Sequence, residues 1–235
     1  MAVFAIADLH LSLGTDKPMN IFGPAWERHD IRIEENFQSL VSDKDTVLIP
    51  GDISWAMRPE DALEDLKYID RLPGQKIITK GNHDFWWGTS GKVEKMMADA
   101  GITSIRLLKN NAFYCDGTIV CGTRGWILPE HAEFSLADRL ILDREVGRLA
   151  RSLRAGEQLR QFPEDRTIVM MHYPPLLSDR SESGFSELCV EFGVDICVYG
   201  HLHGKGHEKA IQGLVRGVDY RLTSADYIGF KPLRL

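Results

Sequence analysis

No stretch of this sequence approaches the ~20 consecutive apolar residues that a membrane-crossing helix requires, so no membrane span is expected. Met1 to Leu13 is apolar in part, but it lacks a basic n-region and is broken by Asp8 and His10, which argues against a signal peptide. Cysteine is scarce. Cys115, Cys121, Cys189 and Cys197 form no Cys-x-x-Cys pair, and a chain this size needs no disulfide staples, so four reduced and buried thiols are expected. Positive charge is not in excess: a formal net charge of −6 argues against a broad footprint for nucleic acid or an anionic membrane, and an anionic substrate would need a local attractor. Long polar linkers, repeats and low-complexity segments are absent as well. The 235 residues are therefore read as a single cytoplasmic domain, 1–235, with a sizeable core. With 43% hydrophobic and 26% charged residues the composition is that of an ordinary globular protein, so motifs must carry the functional argument.

Short apolar runs alternate with amphipathic segments. Val3 to Ala7, Thr46 to Pro50, Lys76 to Thr79, Thr167 to Met171 and Asp195 to Tyr199 read as strands, each ending in a polar cluster. Pro59 with Glu60 and Asp61 opens a crossover helix that carries Leu63, Leu66 and Ile69 on one face and stops at Pro73-Gly74. Ser135 and Asp138 have capping-box spacing ahead of a longer helix with Leu142, Val146, Leu149 and Leu153 at helical intervals. Asp116-Gly117 between Ala112 to Cys115 and Thr118 to Gly122 is a two-residue hairpin signal, and Leu214 to Leu222 around Gly217 predicts further strand pairing. The pattern predicts an α/β protein whose sheets pack on each other under covering helices.

Chemistry is concentrated where the strands end. Asp8 and His10, Asp52, Asn82-His83-Asp84, His172, and His201 with His203 each follow a predicted strand, and ligand-binding groups gather outside the carboxyl ends of strands in α/β sheets. In extended chain, residues two apart point to one side, so Asp8 with His10, and His201 with His203, can each reach a common cavity. Imidazole, carboxylate and an amide oxygen without thiolate suit manganese, iron or zinc. Asp8, His10, Asp52, Asn82, His172, His201 and His203 are too many ligands for one ion and serve two ions bridged by Asp52. Paired ions ~3.5–4 Å apart suit in-line phosphoryl displacement by a bridging hydroxide. Their charge would attract a phosphate to an acidic chain. His83 is then a candidate general acid for the leaving alkoxide, with Asp84 orienting its ring.

The blocks Asp8-x-His10, Gly51-Asp52, Gly81-Asn82-His83-Asp84, a lone His172 after a strand, and Gly200-His201-x-His203 occur in the order that resembles the calcineurin-like metallophosphoesterases. The resemblance spans residues 3 to 203 and implies a four-layer αββα sandwich of two mixed β-sheets flanked by helices. It also implies that Asp8, His10, Asp52 and His203 bind one ion, and Asp52, Asn82, His172 and His201 the other. After Gly51-Asp52 the chain reads Ile53-Ser54-Trp55-Ala56, without the Asp-Arg-Gly of the protein serine/threonine phosphatases, which argues against a phosphoprotein substrate.

Each motif taken singly also reads as a polar turn; only their joint occurrence at five successive strand ends favours chemistry. His131 and His207 read as solvated. The segment 13–33 is a long insertion containing Phe22, Trp26, Arg28 and His29, expected to fold over the metal rim, with His29 as a candidate substrate contact. Arg124 reads either as a phosphate contact or as a surface salt bridge, and Trp86 and Trp87 either as a wall beside the leaving group or as ordinary packing. The expected partner is a small-molecule phosphate ester, monoester or diester, with nucleotide-type compounds among the options. Two rivals stand beside the phosphoesterase: a non-catalytic metal-binding scaffold that binds protein partners on the same frame, and metal-dependent chemistry on another electrophile.

Overall fold

A computed structural model describes residues 1–235. The chain forms two compact units, one comprising residues 1–107 and 223–235 and the other residues 108–222.

The first unit is built on the parallel strands β1 (Val3–Ala5), β2 (Thr46–Pro50), β3 (Gln75–Thr79) and β4 (Ile105–Leu107), hydrogen-bonded in that order. Every residue of β1 and β2 is buried, which explains why they read as continuous apolar runs and not as alternating ones. Helices α1 (His29–Leu40), α2 (Leu63–Arg71) and α3 (Ser90–Asp99) occupy the connections. They join the core through Ile33 and Phe37, Leu66 and Ile69, and Val93 and Met97, pairs spaced three or four apart and so on one helical face. The predicted crossover helix is present, but it starts at Leu63, the Pro59 segment forming turns instead. Its far end is closed from below by Lys76 on β3. The fully buried Lys76 Nζ donates to the carbonyls of Leu72 at 2.5 Å, Gly74 at 2.8 Å and Asp70 at 3.3 Å, while burial lowers its pKa to about 8.

Register decides where the functional loops leave this sheet. Ala5 pairs with Leu48 and Pro50 with Thr79, so the segments after β1, β2 and β3 emerge side by side from one edge. The loops following β1 and β2 continue the pairing: Asp8 N–H donates to Gly51 O at 3.0 Å, His10 N–H to Asp52 O at 2.9 Å and Leu11 N–H to Ile53 O at 2.9 Å.

The second unit contains β5 (Phe113–Tyr114), β6 (Thr118–Thr123), β7 (Arg166–Met171), β8 (Ile196–Tyr199), β9 (Gly213–Val215) and β10 (Val218–Leu222), in spatial order β5-β6-β7-β8-β10-β9. The Asp116-Gly117 hairpin forms as expected, with φ of 46° and 78°, the two positive values a tight two-residue turn demands. Arg216-Gly217 makes a second such turn, between β9 and β10. Helix α4 (Leu136–Leu159) carries the predicted capping box, in which Ser135 and Asp138 bond reciprocally. It lies so close to β6 that a Cβ at Gly156 would stand 2.4 Å from Cys121 Sγ, and burial pushes that thiol up to about 12. Helix α5 (Gly184–Glu191) is capped by Ser183. All four cysteines are buried and none is in a disulfide. The chain then returns to the first unit, where β11 (Leu233–Arg234) pairs antiparallel with β1. The fold class is thus α/β, with two mixed sheets of five and six strands flanked by helices.

Candidate metal centre and active site

In the first unit three of the four expected ligands, Asp8, His10 and Asp52, lie close together. Asp8 is fully buried, Asp52 and His10 nearly so, and taking such groups out of water is costly without compensating partners. A ligand atom of Asp8 lies within 4.8 Å of one on His10 and of one on Asp52, and His10 Nε2 stands 3.7 Å from Asp52 Oδ2. Asp52 is held from the other side by the N–H of His83, 2.8 Å from its Oδ1. Gly81 is required here, because a Cβ would fall 2.0 Å from Asp52 Oδ1 and 2.2 Å from its backbone nitrogen. The backbone itself is unusual. Asp8 (φ 58°), His10 (45°) and Asp52 (50°) all adopt the left-handed conformation, which for residues with a Cβ costs on the order of 1–3 kcal/mol each and concentrates at functional sites.

Asp84 corrects an expectation. Its Oδ1 accepts from the N–H groups of Ile53 (2.9 Å) and Ser54 (3.1 Å) and from the Trp86 indole (3.0 Å), and its Oδ2 from Gly81 N–H (2.8 Å). None of these donors is the His83 ring. The carboxylate ties the loops after β2 and β3 together, and burial, reinforced by repulsion from Asp52, raises its pKa to about 6. Asp65 on α2 ties segments in the same way, accepting from Leu13 N–H at 2.8 Å and from the Ser54 hydroxyl. The His83 ring, half-buried, lies 4.5 Å from Trp55 and 5.7 Å from His10 between centroids, and Asn82 beside it is half-buried too.

The insertion 13–33 is shorter as a loop than its sequence suggests, since residues 29–33 already belong to α1 and the remainder contains two 3-10 turns. His29 is buried against Trp26 and Phe230 and beneath the backbone of Leu9 and His10; burial lowers its pKa although the neighbouring backbone groups favour the proton. That placement gives it a supporting position under the His10 turn. Trp86 and Trp87 are core residues, 1% and 6% exposed, and the expectation of a wall beside the leaving group is met by neither.

In the second unit, His172 follows β7 and His201 follows β8, parallel neighbours whose ends lie side by side. Their ring nitrogens, His172 Nε2 and His201 Nδ1, approach to 3.2 Å, a spacing that a shared proton or a shared cation satisfies. His172 is fully buried, its turn fixed by the Arg124 carbonyl, which accepts from the N–H groups of both His172 and Tyr173. The Arg124 side chain points elsewhere: it stacks 4.4 Å from the Trp126 ring and stands 3.9 Å from the buried Glu145. His201 repeats the left-handed conformation at φ 73°. His203, half-buried, lies with a ring nitrogen within 4.8 Å of one on His207, which is itself half-buried and not the solvated residue expected from sequence. The only signal for His207 was its position four residues beyond His203. His131 is exposed as expected.

Comparison with known proteins gives this arrangement its context. The family model described as calcineurin-like phosphoesterase matches residues 1–205. The chain belongs to that family. Membership supports a metal-dependent phosphoesterase in general terms, and the carboxylate and imidazole groups described above are of the type that holds metal. No curated protein matches this calcineurin-like phosphoesterase. Among solved structures, the protein of unknown function AQ665 from Aquifex aeolicus is 14% identical with a TM-score of 0.51, the match covering 99% of this chain and 95% of that one. TT1561 of Thermus thermophilus is 12% identical with a TM-score of 0.55, over 86% of this chain and 81% of the other. At these identities the likeness concerns the fold alone. No helix of the phosphoesterase is long and apolar enough to cross a membrane.

Proposed function

We propose that this chain is a phosphoesterase that hydrolyses a small-molecule phosphate mono- or diester. Asp8, His10, Asp52, Asn82, His172, His201 and His203 would hold two ions of manganese, iron or zinc. One observation carries the reading: four of these seven residues, Asp8, His10, Asp52 and His201, hold left-handed backbone conformations just past strand ends, a costly geometry that concentrates at functional sites. The donor set fits such ions, being carboxylate, imidazole and amide without thiolate. When bound, the ions supply an activated water and neutralise charge on the phosphoryl oxygens.

The remaining chemistry belongs to the chain. His83 donates a proton from a ring nitrogen to the departing ester oxygen, and its backbone N–H keeps Asp52 in place. Asp84 contributes by positioning, since it fixes the Gly81 turn that presents Asn82 and His83. The buried Asp8, His10 and His172 exclude bulk water from the reacting centre. Arg124 and His29 are assigned support of the His172 and His10 turns, with no substrate contact required of either. The absence of Asp-Arg-Gly after Asp52 favours small molecules over phosphoproteins.

The test compares an aryl phosphate with a bis-aryl phosphate under added manganese, before and after chelation, with metal content measured in parallel. Two metal equivalents per chain, falling in Asp52→Asn and in His201→Ala together with turnover, is the expected result. A metal-replete protein inactive on both esters would favour the scaffold alternative.

A further inference from the structure

The sequence places one aromatic after another around His83, and the fold leaves two of them in solvent. The Trp55 indole stacks on His10 at 4.8 Å and 21°, and its Nε1 is pinned by a 2.8 Å hydrogen bond to Met19 Sδ. Phe22, from the insertion, runs parallel to Trp55 at 6.1 Å and 8°. On the other side of Trp55 comes His83 at 4.5 Å, and then Phe85 at 6.2 Å from His83 with its ring edge-on. Phe22 is 56% exposed and Phe85 57%, whereas Trp86 and Trp87, next along the chain, are buried. Core packing therefore accounts for the tryptophans and not for the phenylalanines. Exposed aromatic rings on either side of partly buried Trp55 and His83 are the kind of apolar surface that marks a recognition site. Lys17 adds positive charge to the same surface, its Nζ lying 3.4 Å from the Trp55 ring centroid.

From this row of rings, which includes the residue proposed to protonate the leaving oxygen, we infer that the enzyme selects phosphate esters whose leaving group carries a flat aromatic ring. Phe22 and Phe85 supply the ring contacts to the departing alcohol, Trp55, already stacked on His10 and covered by Lys17, holds Phe22 beside His83, and Lys17 complements the charge of the ester. Aromatic rings gain from offset or edge-on contact beyond what area burial provides, so a saturated ring of equal size is bound less well. This inference rests on the phosphoesterase reading and on His83 standing beside the scissile oxygen.

The experiment uses benzyl phosphate and cyclohexylmethyl phosphate, whose leaving alcohols are of similar size and acidity and differ in the aromatic face. The manganese-loaded wild type is expected to prefer the benzyl ester in kcat/KM. Phe22→Ala with Phe85→Ala should lower that preference about fivefold, the effect expected for losing two ring contacts. Because both side chains are largely exposed, the double variant is expected to fold, and circular dichroism verifies it. Binding of benzylphosphonate and cyclohexylmethylphosphonate by calorimetry provides an arm independent of turnover. Preferential benzylphosphonate binding that the double variant loses, in a protein that hydrolyses neither of these monoesters nor a bis-aryl phosphate diester, would uphold the aromatic wall and sink the phosphoesterase reading. Hydrolysis of both esters with a ratio unchanged in the double variant would overturn the wall and leave the phosphoesterase reading standing. Failure to bind either phosphonate overturns the wall as well.

Discussion

Replacing Asp84 by asparagine keeps the size and shape of the side chain but removes one acceptor, and the structure says which bond is lost. Three N–H donors, from Ile53, Ser54 and the Trp86 indole, converge on Oδ1, and the Gly81 N–H meets Oδ2. An amide serves three of them best by placing its oxygen at the Oδ1 position, which sets its NH2 against the Gly81 N–H. One charge-assisted bond is then gone and a buried donor is left without an acceptor, a loss of about 1–3 kcal/mol. The three surviving bonds weaken because their acceptor is now neutral. Against this, the variant no longer buries a carboxylate whose pKa burial has raised to about 6, and some of the loss is recovered. We expect a net destabilisation of about 2 kcal/mol, which for a chain of this length lowers Tm by roughly 4–8 °C. Urea unfolding of chelator-stripped protein at pH 7, followed by tryptophan fluorescence, measures it. A midpoint equal to that of the wild type, with turnover nevertheless lost, would mean that Asp84 acts on the His83 ring after all and that its four donors contribute little.

Two further outcomes follow from the same region. Gly81→Ala would drive a Cβ to 2.0 Å from Asp52 Oδ1, so manganese affinity should fall at least tenfold in a protein still folded by circular dichroism; undiminished affinity would show that the turn yields without moving Asp52. Burial raises the Asp65 carboxyl from its ordinary 3.8 to about 6, so the folded chain keeps a proton that the unfolded chain has released. Its contribution to stability is fully present below pH 3.8 and declines by roughly 3 kcal/mol as pH rises through about 6. Asp65→Asn should flatten the urea midpoint between pH 4 and 6, and an unaltered slope would refute the assignment.

The strands are legible because burial on both faces leaves a run of Val, Ile and Leu no polar face, as in Thr46–Pro50, which the sequence bounds correctly. Local chemistry is equally readable where it is self-contained: the Ser135 and Asp138 capping box and the Asp116-Gly117 turn need no distant partner. Helices α1, α3 and α5 are harder to see. In α1 only His29, Ile33 and Phe37 are buried, too sparse an apolar stripe to stand out among its charges.

Metal-ligand candidates are visible because their residue types recur after strands, but the role of a side chain within the site is not. Asp84 follows His83 directly and so suggests itself as the partner of that ring, yet the turn directs its carboxylate toward Gly81, Ile53 and Ser54. Phe85, Trp86 and Trp87 are equally aromatic in sequence, and only the turn decides that the first faces solvent and the other two face the core.

By itself, then, the sequence determined which side chains are available for metal and proton chemistry and on which strand ends they ride, since residue type and hydrophobic period are properties of the chain alone. Tertiary structure decided where each of those side chains points and what it touches. That depends on backbone torsions such as the left-handed ones at Asp8, His10, Asp52 and His201, which are held by contacts between segments far apart in the chain.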